Sequence, residues 1–248
     1  MANNFATRTF SSLLLLILLA SLYLLKLTHF FFIIFFSLVY WELYNNKIIN
    51  TYWIILLFIG YSFFLNFEVF FYTLVISQKI LVLLFFIFII ATSFIYRSML
   101  LSKVLLNIFI YMCFILFTSL YIIDFNLFFV IILFTSINDI VAYISGSYFK
   151  GPKIIPSISP NKTWSGTIIS YLFSVLLLFY LFDFYYMYNL LLPIMFFIGD
   201  IYFSYFKRIL SIKDYGQIIR GHGGVLDRFD SSFLSLSFSF LFLLFLYD

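Results

Sequence analysis

Between Lys207 and Asp230 the chain reads KRILSIKDYGQIIRGHGGVLDRFD. Eight of the 24 charged residues fall in this window, namely Lys207, Arg208, Lys213, Asp214, Arg220, Asp227, Arg228 and Asp230. It also holds four of the nine glycines and one of the two histidines. A connection between apolar segments needs a few charges to stop translocation. It does not need both signs at this density around Gly221, Gly223 and Gly224. Glycines let a backbone approach a ligand closely and present its N–H groups. Lys and Arg bind phosphate oxygens. Carboxylates set among those cations suit Mg²⁺, which takes one or two carboxylates together with substrate phosphates. The pattern therefore points to a polyphosphate substrate and a divalent cation.

Other residues extend the pattern. Asp227 and Asp230 are three apart, so a helix starting here would carry both on one face of its first turn, at the positive end of its dipole. An ordinary N-terminal capping pair would look the same. Asp200 follows Gly199 inside the apolar run PIMFFIGDIYFSYF, and Asp139 lies in FTSINDIVAYISG. An ionisable residue at such depth is costly, and its presence points to function, with a satisfied interhelical hydrogen bond as the structural alternative. In SISPNKTWSG, residues Ser157–Gly166, the side chains of Ser159, Lys162 and Thr163 are compatible with phosphate. Thr163 or Ser165 would equally serve as a helix N-cap. His222, flanked by Gly221 and Gly223, can act as acid, base or phosphate donor. No Ser-His-Asp or Cys-His constellation is apparent, which suits phosphoryl-type transfer, where positioning and charge stabilisation dominate.

The elements that must position these residues are set by composition. Of the 248 residues, 65% are hydrophobic and 10% charged, against about 25% charged in a typical soluble domain. So few charges cannot cover a water-facing surface, whereas lipid removes the need. The one cysteine, Cys113, excludes an intramolecular disulfide and a multi-cysteine metal site. The net charge of +4 is of the kind that gathers at the cytoplasmic ends of membrane helices. No soluble basic stripe interleaved with aromatics accompanies it, so nucleic-acid binding is not expected.

A spanning helix needs about 20 apolar residues. Such runs lie near 10–25, 29–43, 51–67, 69–96, 104–121, 125–148, 165–182, 185–206 and 230–247. The expected fold is all-α, a polytopic transmembrane helical bundle of about nine spans. The run after Arg8 is read as a retained helix rather than a cleaved signal. With the N-terminus cytoplasmic, twelve of the fourteen basic residues fall on one side, the bias of cytoplasmic loops. This places segments 149–164 and 207–229 on that same side, joined by a helical hairpin, so that they can face each other. The chain is read as a single membrane domain, 1–248, with a motif-bearing catalytic half at 135–248 and an apolar helical half at 1–134.

These residues resemble a known signature. Ser204-x-Phe206-Lys207-Arg208, then Lys213-Asp214-x-Gly216, then Gly221-His222-Gly223-Gly224-Val225-x-Asp227-Arg228-Phe229-Asp230 is similar to the signature of the phosphatidate cytidylyltransferase (CDP-diacylglycerol synthase) family. Asp139-x-x-Ala142-Tyr143-x-x-Gly146, Ser159-Pro160-x-Lys162-Thr163-Trp164-x-Gly166 and Gly199-Asp200 look like the upstream motifs of that family. The likeness covers about residues 138–231. It departs at Arg220, where the family has Pro; at Phe203 and Ser165, where an acid is expected; and at Lys150, near an expected Gly.

The resemblance implies a nucleotidyltransferase of phospholipid biosynthesis that joins CTP and phosphatidate to give CDP-diacylglycerol and pyrophosphate. Residues and resemblance together assign catalytic roles to Asp200, Lys213, Asp214, His222 and Asp227. They assign phosphate binding to Ser159, Lys162, Thr163, Lys207, Arg208, Gly221, Gly223, Gly224 and Arg228. Asp139, Asp200, Asp227 and Asp230 are the expected metal ligands, for Mg²⁺ with a second cation left open. The expected partners are CTP, phosphatidate and membrane lipid, with no nucleic acid and with a homodimer as an admissible assembly. The expected location is a bacterial-type inner membrane, the site facing the cytoplasm. Two other readings stand beside this one. A CTP-dependent polyprenol kinase would release CDP rather than pyrophosphate. A transporter would use Asp139 and Asp200 along an ion path, although the charged, glycine-rich window and the lack of a repeated half speak against it.

Overall fold

In hydrocarbon no water satisfies the backbone, so a spanning segment must bond its own N–H and C=O groups, and the helix does this within one segment. The described apolar runs all take that solution. The computed structural model describes residues 28–66, 79–95, 98–181, 186–216 and 223–246. The run expected at 10–25, and the first part of that at 69–96, lie outside them. The described helices are α1 (Thr28–Asn45), α2 (Thr51–Asn66), α3 (Lys79–Ile95), α4 (Met99–Ile123), α5 (Phe125–Phe149), α6 (Trp164–Leu181), α7 (Tyr186–Ile209) and α8 (Leu226–Leu246). Five of them, α4 to α8, are long and apolar enough to cross a membrane, and shorter apolar helices occupy Phe32–Asn45, Thr51–Leu65 and Val82–Ile95.

One segment departs from helix. Strands β1 (Lys153–Ile155) and β2 (Ser159–Thr163) form a small antiparallel hairpin, pairing Lys153 with Thr163 and Ile155 with Ser159. The seventh apolar run, expected at 165–182, begins as a helix at Trp164, directly after β2. The reason is local. Pro152, Pro156 and Pro160 cannot continue a helix and remove backbone donors.

The chain forms two compact units. One comprises Met1–Phe71 with Ile212–Arg228, and the other Tyr72–Ser211 with Phe229–Asp248. In the first, α1 and α2 meet through stacked rings, Phe36 on Tyr61 at 4.5 Å.

In the second unit, α5 and α6 pack through small residues. A Cβ on Gly166 would stand 2.6 Å from the Ala142 carbonyl oxygen, and one on Gly146 would stand 2.8 Å from Thr163 Oγ1. Ser174 donates to Asn138 Oδ1 at 3.1 Å across the same contact. Small residues and buried hydrogen bonds are what hold helices together where lipid is as apolar as the side chains. Along α6 the buried residues are Gly166, Ser170, Ser174 and Leu178. The opposite face exposes Ile168, Leu172, Leu176 and Tyr180. Polar residues inside and apolar ones outside are the reverse of a water-facing helix.

Where Phe203 replaces an expected acid, the structure shows why the ring fits. Phe203 is buried and meets Phe233 edge-on at 5.5 Å and Phe109 at 5.8 Å. Lys150, near an expected Gly, caps α5 with φ +45°. That left-handed conformation is the one glycine adopts without strain.

Candidate active site

In the second unit, α7 carries its polar residues on one stripe. Asp200, Ser204, Lys207 and Arg208 are spaced by four, three and one, so they line one side of the helix. Lys207 and Arg208 occupy its last turn, where cations oppose the helix dipole. Gly199 explains the stripe's reach. A Cβ there would stand 3.0 Å from the Asp230 carbonyl oxygen and 3.1 Å from that of Ser231. Its absence lets α7 lie against α8, which brings Asp200 toward Asp230.

Asp230 is buried and its Oδ2 lies 3.7 Å from Lys207 Nζ. Ser204 donates to Asp200 Oδ1 at 3.2 Å. Asp139, on α5, accepts from Ser231 Oγ at 3.4 Å and is exposed. The three carboxylates lie close enough to repel one another. Lys162 closes the group from the hairpin: its Nζ stands 2.5 Å from Asp200 Oδ2 and 5.0 Å from the centre of the Phe197 ring. Arg208 Nε donates to the Ile158 carbonyl at 2.9 Å. Of the segments 149–164 and 207–229, expected to face each other, the first thus meets the start of the second at Arg208.

Thr163, a candidate phosphate ligand, accepts from Gly166 N at 3.2 Å. Its hydroxyl therefore caps α6, the structural role anticipated for it. Ser165, standing for an expected acid, accepts from Gly151 N at 3.2 Å and holds the end of α5 to the start of α6. Ser159 is half-buried on β2.

In the first unit another acid ties together the described ends of the glycine-rich segment. Asp227 Oδ2 accepts from Tyr215 N and Gly224 N, both at 2.9 Å. Gly223 has φ +85°, so a side chain there would be strained. Lys213, Asp214 and Arg228 are exposed. Gly221 and His222, with Arg220, lie outside the described residues.

Glu42 was missed in reading the sequence. It is 1% exposed on α1. Its Oε1 accepts from Val225 N at 2.7 Å and its Oε2 from Leu226 N at 3.0 Å. The available signal was an acid at the end of the apolar run 29–43, which looks the same as an ordinary flanking charge.

Oxygen donors of this kind suit a hard cation such as Mg²⁺. Among the described residues no group of three Asp, Glu, His or Cys is arranged to hold a metal ion. The arrangement fits a cation that finds one or two carboxylates here and completes its shell with phosphate oxygens. Lys162 and Lys207 meanwhile supply positive charge to Asp200 and Asp230.

Comparison with known proteins agrees with this chemistry. The profile of the cytidylyltransferase family matches residues 6–246. The phosphatidate cytidylyltransferase of Rickettsia conorii is 40% identical over 118 residues, which cover 42% of this chain and 51% of that protein. That of Rickettsia typhi is 43% identical over 112 residues, covering 39% and 49%. That of Brucella abortus is 38% identical over 123 residues, 42% of each chain. The aligned stretch spans about half the length of these curated relatives. With acids, lysines and glycines standing where the sequence signature requires them, and with a profile match over nearly its whole length, the chain belongs to the cytidylyltransferase family.

Proposed function

We propose that this chain joins CTP and phosphatidate to give CDP-diacylglycerol and pyrophosphate, at the cytoplasmic side of a bacterial-type inner membrane. The observation that carries the reading is the set of Asp139, Asp200 and Asp230 with Lys162 and Lys207, gathered where the hairpin meets the end of α7. Alternating charge at the end of apolar helices serves two phosphorylated substrates, one of which is a lipid. The relatives named as phosphatidate cytidylyltransferases support this choice of substrates. In the proposed topology the N-terminus is cytoplasmic and about nine segments span the membrane.

In the proposed reaction a phosphate oxygen of phosphatidate attacks the α-phosphorus of CTP in line. A P–O bond forms there, and the bond from the α-phosphorus to the bridging oxygen breaks. Pyrophosphate carries away the electron pair. No protein nucleophile is required. Lys162, Lys207 and Arg208 neutralise phosphate charge, with Ser159 orienting a phosphate oxygen from the hairpin. Lys213, Arg228 and the backbone at Gly221, Gly223 and Gly224 would serve the triphosphate, with Asp214 and His222 beside it. Thr163 contributes by holding the start of α6. Asp227 sets the shape of the glycine loop through Tyr215 and Gly224. Asp200, with Asp139 or Asp230, would hold Mg²⁺, which supplies Lewis-acid stabilisation of charge on the phosphoryl oxygens.

The test is purified protein in detergent with CTP, phosphatidate and Mg²⁺. CDP-diacylglycerol and pyrophosphate should form in equal amounts. EDTA should abolish both, and added Mg²⁺ should restore them. Release of CDP with phosphorylated polyprenol would favour a lipid kinase. Ion flux without CTP turnover would favour a transporter.

A further inference from the structure

We infer that Glu42 is the positioning residue of the glycine-rich segment: from α1 it holds the backbone at Gly216 and at residues 224–226 in the arrangement that receives the nucleotide. This deepens the proposed function and rests on the loop being part of the CTP site.

Three observations carry it. Glu42 is 1% exposed, yet it sits on an apolar helix. A buried acid is costly unless its oxygens are bonded, and both are, to the consecutive N–H groups of Val225 and Leu226. The loop is also cut to fit it. A Cβ on Gly216 would clash with Glu42 Oε1, and one on Gly224 would stand 2.6 Å from Oε2. Two glycines of the signature therefore leave room for this carboxyl group. Finally, α1 grips the loop a second time. Asn46 Nδ2 donates to the Tyr215 carbonyl and, at 3.0 Å, to the Glu42 carbonyl. Tyr215 N in turn donates to Asp227. Loop backbone is thus tied at residues 215, 224, 225 and 226 by carboxyl and amide groups of Glu42, Asn46 and Asp227.

The division of labour is specific. Asp227 comes from the loop's own chain end, whereas Glu42 comes from a helix about 180 residues earlier. Both groups that donate to the Glu42 carboxylate are backbone N–H groups, so it acts through loop shape and not through contact with a reacting atom. Loss of one acceptor should loosen nucleotide binding and leave the lipid substrate's binding alone.

The experiment measures steady-state kinetics of full-length wild type, Glu42→Gln and Glu42→Asp, varying CTP and phosphatidate separately. Glutamine keeps the volume but turns one acceptor into a donor that faces an N–H. We expect its KM for CTP to rise at least tenfold, with the KM for phosphatidate within twofold. Aspartate, one methylene shorter, should lie between the two. A merely structural role would instead lower the fraction of active enzyme, reducing kcat with both KM values unchanged. That outcome, or an equal rise in both KM values, overturns the inference. If Glu42→Gln does not fold, Gly216→Ala presses on the same carboxyl group with Glu42 in place, and it is measured identically; an unchanged CTP KM there overturns the inference as well. Wild-type protein that makes no CDP-lipid counts against the proposed reaction. The role of Glu42 in holding the loop is then read separately, from the stability cost of Gly216→Ala. That cost should be smaller in a Glu42→Ala background than in wild type, and an equal cost in both backgrounds overturns it.

Discussion

Lys162 Nζ, on the hairpin, lies 2.5 Å from Asp200 Oδ2 in α7. Both side chains remain about a quarter exposed, at 24% and 22%. An ion pair so open to solvent contributes only about 1 kcal/mol or less to folding. In the proposed function its value lies in placing a phosphate-binding cation beside a carboxylate. Lys162→Met should therefore lower kcat/KM for CTP by at least about tenfold, the effect of losing roughly 1.4 kcal/mol in the transition state. Its thermal unfolding should stay within a few degrees of wild type. A large fall in stability with normal turnover of the folded fraction would show the pair to be structural.

Asp200 and Asp230 should separate in the same assays. Asp230 is buried beside Lys207, whereas Asp200 is half-buried. Removing one partner of a buried pair leaves an uncompensated charge and is strongly destabilising. Asp230→Asn should then lower both the unfolding temperature and CDP-lipid formation. Asp200→Asn should leave the unfolding temperature nearly unchanged and lower kcat on the order of 100-fold. Normal turnover by Asp200→Asn would remove it from the proposed metal site.

Gly166→Ala tests how closely α5 and α6 must approach. The added Cβ would stand 2.6 Å from the Ala142 carbonyl oxygen, a backbone atom that cannot swing away. Overpacking of this kind costs about 1–3 kcal/mol. The measurement is unfolding temperature in detergent. Because Asn138 and Asp139 adjoin this contact on α5, activity should fall with stability. An unfolding temperature equal to wild type would show that the helices part at no cost.

Lys150→Gly should do the opposite. Lys150 holds φ +45° at the end of α5, a conformation that costs an L-residue about 1–2 kcal/mol. Glycine removes that strain, although it gives up a cation near the helix C-terminus. The net expectation is a rise in unfolding temperature with unchanged kinetics. A fall would mean that the lysine charge outweighs the strain.

Much of this protein was legible from residue order. Apolar runs near 104–121, 125–148, 165–182 and 185–206 became α4 to α7 with shifts of a few residues, because lipid admits only a self-bonded backbone. The acids at 139 and 200 stood out because charge is rare in such runs, and Asp230 stood out with Asp227 in the charged window. Phe203, Ser165 and Lys150 were visible as departures, but their consequences were not. Only packing shows that Phe203 fills a cage with Phe109 and Phe233, or that Ser165 replaces an acid by bonding Gly151 N.

Residue order by itself determined the described helices, the membrane as solvent and the kind of chemistry proposed, since hydropathy and charge are properties of the chain read locally. Tertiary structure decided the partners. It set Lys162 on Asp200, turned 153–163 into a hairpin, made Thr163 a cap and drew Glu42 under Gly216 and Gly224. These contacts join residues tens to nearly two hundred positions apart. Such pairings depend on which helix faces meet, and that is fixed by close approach at glycines and by buried groups finding their bonds.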